Sequence, residues 1–177
     1  PNSSFNNSIF VSNQANRGGA FYITNVAANA SLLLLNNTLV DNQGNGGVVF
    51  YEQNATARVG ADFINCIIWD NATTFANTGG NVSIAHLNIS NSIVQGGSWL
   101  GAGNGNFSSD PLFIASPGNL RLNNNSPAIN VGNNSVPVFI DLDGNGRPQG
   151  GTLDLGAYET SLAANALDLD WLNFSAR

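Results

Sequence analysis

One short phrase returns four times along the chain: Phe5-Asn6-Asn7-Ser8-Ile9, Leu35-Asn36-Asn37-Thr38-Leu39, Phe63-Ile64-Asn65-Cys66-Ile67 and Ile89-Ser90-Asn91-Ser92-Ile93. Superposed on the central asparagine, the copies fall at 7, 37, 65 and 91, in steps of 30, 28 and 26 residues. A drifting period of that size, carried by strand-length apolar runs around a polar residue, predicts a solenoid with one coil per repeat. A second asparagine follows at Asn13, Asn42 and Asn71, and glycine pairs stand at Gly18-Gly19, Gly46-Gly47 and Gly79-Gly80. Another apolar run comes after each pair: Ala20-Phe21-Tyr22-Ile23, Val48-Val49-Phe50-Tyr51 and the weaker Val82-Ser83-Ile84. The variable loops between repeats absorb the change in period, as surface connections do.

The runs are short, β-branched or aromatic, and broken by Gly and Asn every few residues, which argues for strands and against helices. Strands of successive coils stacked in parallel place equivalent positions ~4.8 Å apart. Asparagine suits the corner of such a coil, because it tolerates the left-handed bend and its amide both donates and accepts. Asn7, Asn37, Asn65 and Asn91 are therefore predicted to form a structural ladder, satisfied because it repeats. Apolar rows flank it, with Phe5, Leu35, Phe63 and Ile89 on one side and Ile9, Leu39, Ile67 and Ile93 on the other. Strict alternation turns Phe10, Val40, Ile68 and Val94 outward, unless the asparagine bend resets the alternation.

Composition removes several function classes. Charged residues make up 9%, Lys is absent, and the net charge of −6 disfavours nucleic acid as a partner. No run approaches the ~20 apolar residues of a membrane helix, so no membrane insertion is expected. The chain shows no initiator Met and no signal peptide, and is expected to be a mature or excised piece of a larger protein. Its single cysteine makes no internal disulfide.

The repeat fades after Gly97. Residues 1–97 are read as parallel β-helix coils, 98–160 as terminal coils and a C-terminal cap, and 161–177 as a linker and the first strand of a following β-sandwich or sorting region. Within the cap, Leu120-Arg121-Leu122, Ala128-Ile129-Asn130-Val131, Val138-Phe139-Ile140 and residues 153–159 read as short strands.

The order of blocks there is distinctive: Asp110-Pro111-Leu112-Phe113, Leu120-Arg121-Leu122, Ser126-Pro127-Ala128-Ile129-Asn130-Val131-Gly132, Asp141-Leu142-Asp143-Gly144-Asn145 with Arg147-Pro148, then Asp154-Leu155-Gly156-Ala157-Tyr158-Glu159. It resembles the C-terminal end of choice-of-anchor Q domain proteins, secreted bacterial right-handed parallel β-helices. The tail from Leu167 to Arg177, opening Leu167-Asp168-Leu169-Asp170-Trp171-Leu172-Asn173-Phe174, is similar to a strand that often follows such domains in substrates of the type IX secretion system. Asp168 stands where that strand usually has Pro, and Leu169 where it has Val. The resemblance implies an all-β solenoid, a right-handed parallel β-helix with a C-terminal cap, at the surface of or secreted by a Gram-negative bacterium. Its expected partners are neighbouring coils or domains of the same larger protein, the outer-membrane secretion and anchoring machinery, and surface glycans.

Candidate chemistry is sparse. A glycosidase needs two carboxyls ~5–10 Å apart, and Asp41 and Asp70 hold similar turn positions before Asn42 and Asn71 on one expected edge. Solvated carboxylates at strand ends account for them more simply, and Arg17 and Arg58 are the only cations of the repeats. His86 lacks a partner set for metal or acid–base work. Cys66 shares its ladder position with Ser8, Thr38 and Ser92 and reads as a packed small residue rather than a nucleophile. Asp141, Asp143 and Asn145 are the metal candidates, since alternating hard oxygens around a glycine turn resemble part of a calcium loop. The alternative is a cap turn in which Arg147 pairs with Asp143, Asp154 or Glu159. No catalytic residue and no cofactor other than calcium is expected, and the role is read as a structural stalk or adhesin passenger. The rival reading is a carbohydrate-active or glycan-binding β-helix, its site on absent N-terminal coils or on an aromatic face of Phe21, Tyr22, Phe50 and Tyr51.

Overall fold

A computed structural model describes residues 2–25, 30–53, 59–78, 87–96 and 104–161. Its strands are set by where the backbone turns left-handed. Asn7, Asn36, Asn65 and Asn91 lie at φ 46–56°, and Ser12, Asp41 and Asp70 at φ 52–55°. Positive φ costs most residues about 1–2 kcal/mol, and Asn and Asp among non-glycine residues bear it best. Two corners per repeat therefore cut the apolar runs into short strands. Repeat one gives β1 (Asn2–Asn6), β2 (Ile9–Val11), β3 (Gln14–Arg17) and β4 (Phe21–Asn25). Repeat two gives β5 (Ala30–Leu35), β6 (Thr38–Val40), β7 (Gln43–Asn45) and β8 (Val49–Gln53). Repeat three gives β9 (Val59–Ile64), β10 (Ile67–Trp69) and β11 (Phe75–Thr78), and repeat four β12 (Leu87–Ser90) and β13 (Ile93–Val94). A hairpin of β14 (Phe113–Ala115) and β15 (Asn119–Leu122) follows.

The protein is all-β, with no helix among the described residues. Three sheets are wholly parallel and take one strand from each successive repeat: β1-β5-β9-β12, β2-β6-β10-β13 and β4-β8-β11. The sequence did not disclose a fourth parallel pair, β3 with β7. Among the described residues the antiparallel pairing is the β14–β15 hairpin and an isolated bridge between Ile140 and Gly146.

The register corrects the asparagine ladder. Asn6 pairs with Leu35, Leu35 with Ile64, and Ile64 with Ser90. The left-handed corner is thus Asn7, Asn36, Asn65 and Asn91, and Asn37 sits one place later, beside Ser8, Cys66 and Ser92. The apolar rows shift with it, to Phe5, Leu34, Phe63 and Ile89, and to Ile9, Thr38, Ile67 and Ile93. The third glycine pair is also displaced. Phe75 aligns with Val49 and Phe21, so Thr73 stands opposite Gly47 and Gly19. Gly79, Gly80, Val82, Ser83 and Ile84 lie outside the described residues.

After the asparagine corners of repeats two to four the next side chain, Asn37, Cys66 or Ser92, bonds to the repeat before it. Asn37 Oδ1 accepts from Ser8 N at 2.7 Å while its Nδ2 donates to Phe5 O at 2.7 Å. Ser92 Oγ accepts from Cys66 N at 2.9 Å. Asn106 repeats the asparagine arrangement on Ser92 N and Ile89 O, and Phe107 bridges in parallel to Ile93. The parallel pairing thus continues past Gly97, within the segment read as terminal coils and cap.

The continuous side-chain ladder is the other asparagine series. Asn42 Oδ1 accepts from Asn13 N and Nδ2, and Asn71 Oδ1 accepts from Asn42 N and Nδ2, at 2.8–3.2 Å. Nδ2 of Asn42 and of Asn71 also donates to the carbonyls of Phe10 and Leu39, both at 2.9 Å.

The bend resets the alternation. Leu34, Leu39, Phe63, Ile68, Ile89 and Val94 fill one interior core, with Phe10 and Phe21 packed against it. Phe10, Ile68 and Val94, outward by strict alternation, are therefore inward. Phe5, Phe10 and Phe21 stack with ring centroids 4.6–5.5 Å apart. The expected aromatic row is out of step, because Phe21 pairs with Val49 and Tyr22 with Phe50. The side chains of Phe50 and Tyr51 lie outside what is described. Leu33, Leu35, Ile64, Ile67 and Ile93 fall in two further cores, completed by residues after 106.

Replacing the buried Asn42 with alanine strands the amide of Asn13 and the carbonyl of Phe10. Urea unfolding of Asn42→Ala is expected to show a loss of about 2–4 kcal/mol, against about 1 kcal/mol or less for the exposed Asn13→Ala.

Candidate functional site

The most elaborate group of polar side chains lies where residues 126–160 cross the outside of the left-handed asparagine corner. Asn65, fully buried, accepts from Asn133 N through Oδ1 at 2.7 Å and donates to Asn133 O through Nδ2 at 3.1 Å. Its carbonyl accepts from Gly156 N, and Thr38 Oγ1 accepts from Ala157 N at 3.0 Å. Asn7 Nδ2 donates to Ile140 O, and Asn7 Oδ1 accepts from Arg147 Nη1 at 2.9 Å. The segment therefore runs from repeat three to repeat one and back, as a strap across the stacked strands. Val136, Val138 and Leu153 cover Leu35, and Leu122, Ala128 and Leu155 cover Ile67 and Ile93.

This placement explains why three expected strands are absent. Residues 128–130 lie in a turn and Val131 is irregular, residues 138–140 contribute one isolated bridge, from Ile140 to Gly146, and residues 153–159 form no strand. Their polar backbone atoms are met by a mixture of side chains, such as Asp154, Asn134 and Thr38, and isolated backbone groups of the turns and the asparagine corner, instead of by a neighbouring strand. Only the expected strand at 120–122 forms, as β15.

Arg147 anchors the strap. Its Nε donates to Glu159 Oε2 at 2.8 Å with both side chains fully buried, Nη2 donates to Asp154 O, and Nη1 donates to Gly156 O and to Asn7. The other Glu159 oxygen accepts from Gln149 N. Asp154 takes the amides of Asn130 and Thr160. Asn130, left-handed at φ 56°, has its amide placed to donate to the carbonyls of Gln149 and Thr152. Burial pushes the Glu159 and Asp154 carboxyls above their ordinary values, against the pull of these amides and of Arg147. Burial opposes ionisation of Asp141 too, but hydrogen bonds from Glu159 and Asn145 outweigh it and hold that carboxyl below its ordinary value.

The calcium candidates separate. Asp141 is buried, and its carboxylate accepts from the backbone amides of Asn145 and Glu159 and from Asn145 Nδ2. Asp143 points elsewhere and pairs with Arg121, whose Nε lies 2.7 Å away. Arg121 also stacks over the ring of Tyr158, 4.5 Å from its centroid. The loop thus brings Asp141 and Asn145 together and leaves Asp143 out. Of the partners considered for Arg147, Glu159 supplies the carboxylate, Asp154 a carbonyl, and Asp143 neither. Among the described residues no three His, Cys, Asp or Glu side chains cluster as a metal would need.

Asp41 and Asp70 do align on one edge, as the register from Val40 to Trp69 requires. Asp41 accepts from Ser12 Oγ and Gln43 Nε2, which lower its pKa, and Asp70 accepts from Gln95 Nε2. Cys66 is fully buried, and that burial pushes its thiol up to about 12, so it is protonated at neutral pH. His86, Arg58 and residues 162–177 lie outside the described residues. The role of Arg147, 140 residues from Asn7, carried no periodic signal.

One member of the corner series is left over. Asn36 is fully buried, and neither side-chain atom has a hydrogen-bond partner. It lies between Asn7 and Asn65, both of which grip the strap. No helix among the described residues is long and apolar enough to cross a membrane. No family model, curated protein or solved structure matches the chain.

Removing one partner of a buried, hydrogen-bonded ion pair leaves a charge unpaired, at a cost of about 3–5 kcal/mol, whereas an exposed pair contributes about 1 kcal/mol or less. Urea unfolding should therefore show Arg147→Met far less stable than Arg121→Met. Equal losses would contradict this assignment of the anchor.

Proposed function

We propose that this chain is a run of right-handed parallel β-helix coils, braced along one side by its own C-terminal strap, and that it serves as a non-catalytic shaft. Three parallel sheets, two drawing one strand from each of four successive repeats and the third from repeats one to three, support the coil reading. The right-handed sense follows from the strong preference of parallel crossover connections. The observation that carries the structural role is how the polar side chains are used. Asn37, Asn42, Asn65, Arg147, Asp154 and Glu159 all bond to neighbouring repeats or to the strap.

The setting rests on the sequence resemblance of residues 110–159 and 167–177. We read the shaft as part of a larger secreted or surface-anchored protein of a Gram-negative bacterium, a stalk or adhesin passenger exported by type IX machinery. Adjoining coils and the anchoring machinery are its natural partners.

The test is incubation of the protein with neutral and acidic polysaccharides, following reducing ends and unsaturated uronates. No product is expected. Turnover that disappears in Asp41→Asn or Asp70→Asn would replace the shaft with a glycan-degrading enzyme on that edge.

A further inference from the structure

We propose that the strap is a brace tightened by mild acid: as the pH falls from neutral, the buried side chain of Asp154 takes up a proton, and the strap then holds the stacked strands more firmly. A shortage of positive charge sets this up. Residues 126–160 carry four carboxylates, Asp141, Asp143, Asp154 and Glu159, and a single cation, Arg147. Asp143 lies at the surface and pairs with Arg121, from outside the strap. The other three carboxylates are buried, Asp154 completely. Arg147 gives its Nε to Glu159, and what it gives Asp154 is a bond to the backbone carbonyl, not to the carboxylate. Among the described residues the Asp154 carboxylate accepts from two backbone amides, Asn130 N at 2.8 Å and Thr160 N at 2.6 Å, and from no charged group.

The charged groups around Asp154 are Arg147 across the strap and Glu159 on the same arm, with Asp141 beyond, bonded to the Glu159 amide. From the stacked strands come Asn65 and Thr38, which do not titrate and which hold the amides of Gly156 and Ala157. Burial opposes the charged form of Asp154, while the two amides and the field of Arg147 favour it. Burial prevails and holds this carboxyl above its ordinary value. Glu159 is displaced the same way, by burial first, but it keeps Arg147, so the first proton goes to Asp154. Asp154 also ties the strap together, since it bonds to Asn130 on one arm and to Thr160 and Arg147 on the other. A carboxyl whose folded pKa is raised contributes stability that is fully present below the unfolded value, ~3.9, and is lost as the pH rises through the folded value. The hold of the strap therefore strengthens from neutral down to about pH 4. Asp141 and Asp41, both held low, act in the opposite sense. Their contributions are present above the ordinary carboxylate range and are lost as the pH falls through their own lower values.

The test combines urea unfolding from about pH 7.5 to about pH 4.5 with a carbon-13 carboxyl titration of the unsubstituted protein. Unfolding is followed in about 0.5 M NaCl, which screens the general repulsion of a chain with net charge −6. The unfolding constant should fall as the pH falls, by up to about tenfold per pH unit, the limit for one proton. The Asp154 carboxyl should titrate above ~3.9. Asp154→Asn, whatever its absolute stability, should lose most of the slope. Protection of the Gly132 and Gly156 amides, which bond to Leu153 O and Asn65 O, should rise over the same range once corrected for the intrinsic exchange rate. An Asp154 carboxyl that titrates at or below ~3.9 overturns the proposal. So does a slope that Asp154→Asn keeps in full, because the proton then sits elsewhere. Unchanged protection at Gly132 and Gly156 overturns the tightening, even in a protein that gains stability as a whole.

Discussion

A residue held at positive φ ends one strand and redirects the chain so that the next side chain can bond to the neighbouring repeat. Everything else in this protein depends on that corner. It occurs twice per repeat, and it accounts for the strand lengths, the inward apolar rows and the bonding of each repeat to the one before. Asn and Asp fill most of these positions because a short polar side chain tolerates the left-handed conformation. The residue after the corner does the other half. Where it is Asn37, Asn42, Asn71 or Asn106, an amide pairs with backbone groups that no strand can reach.

The same corner has an outer side, and there the chain braces itself. Asn7 and Asn65 turn their amides outward to hold the strap, and Arg147 joins the strap's two arms to repeat one. A chain with only 9% charged residues places some of its few ionic groups inside this interface. Full pairing makes that burial tolerable, since Arg147 meets a carboxylate, two carbonyls and an amide oxygen.

The repeat, its β character and the alignment of Asp41 with Asp70 were legible in the letters. The ladder was misread by one residue at the second repeat for a simple reason. Asn36 and Asn37 are chemically identical, and only φ tells the corner from the inward residue that follows it. Gly79-Gly80 misled in the same way, because Thr73 holds the place that glycine holds at Gly19 and Gly47. The strap resisted reading because its backbone is met by scattered side chains and turn carbonyls at no fixed spacing, some of them, such as Thr38 and Asn65, far away in sequence. Apolar residues spaced like a strand, as at 153–159, look the same whether their neighbours are strands or the outside of an existing sheet. The calcium expectation rested on oxygen spacing alone, whereas Arg121 had already drawn Asp143 away from the loop.

The dual use of the corner residue is tested most directly by two glycine substitutions, because glycine keeps the left-handed bend and deletes only the amide. Asn36 has no partner to lose, so Asn36→Gly should stay within about 1 kcal/mol of the unsubstituted protein or exceed it in stability. Asn65 loses both bonds to Asn133, so Asn65→Gly should fall by about 2–3 kcal/mol in urea unfolding. Equal stabilities for the two variants would show that these asparagines serve the bend alone, and would contradict the account of a shaft held by its own strap.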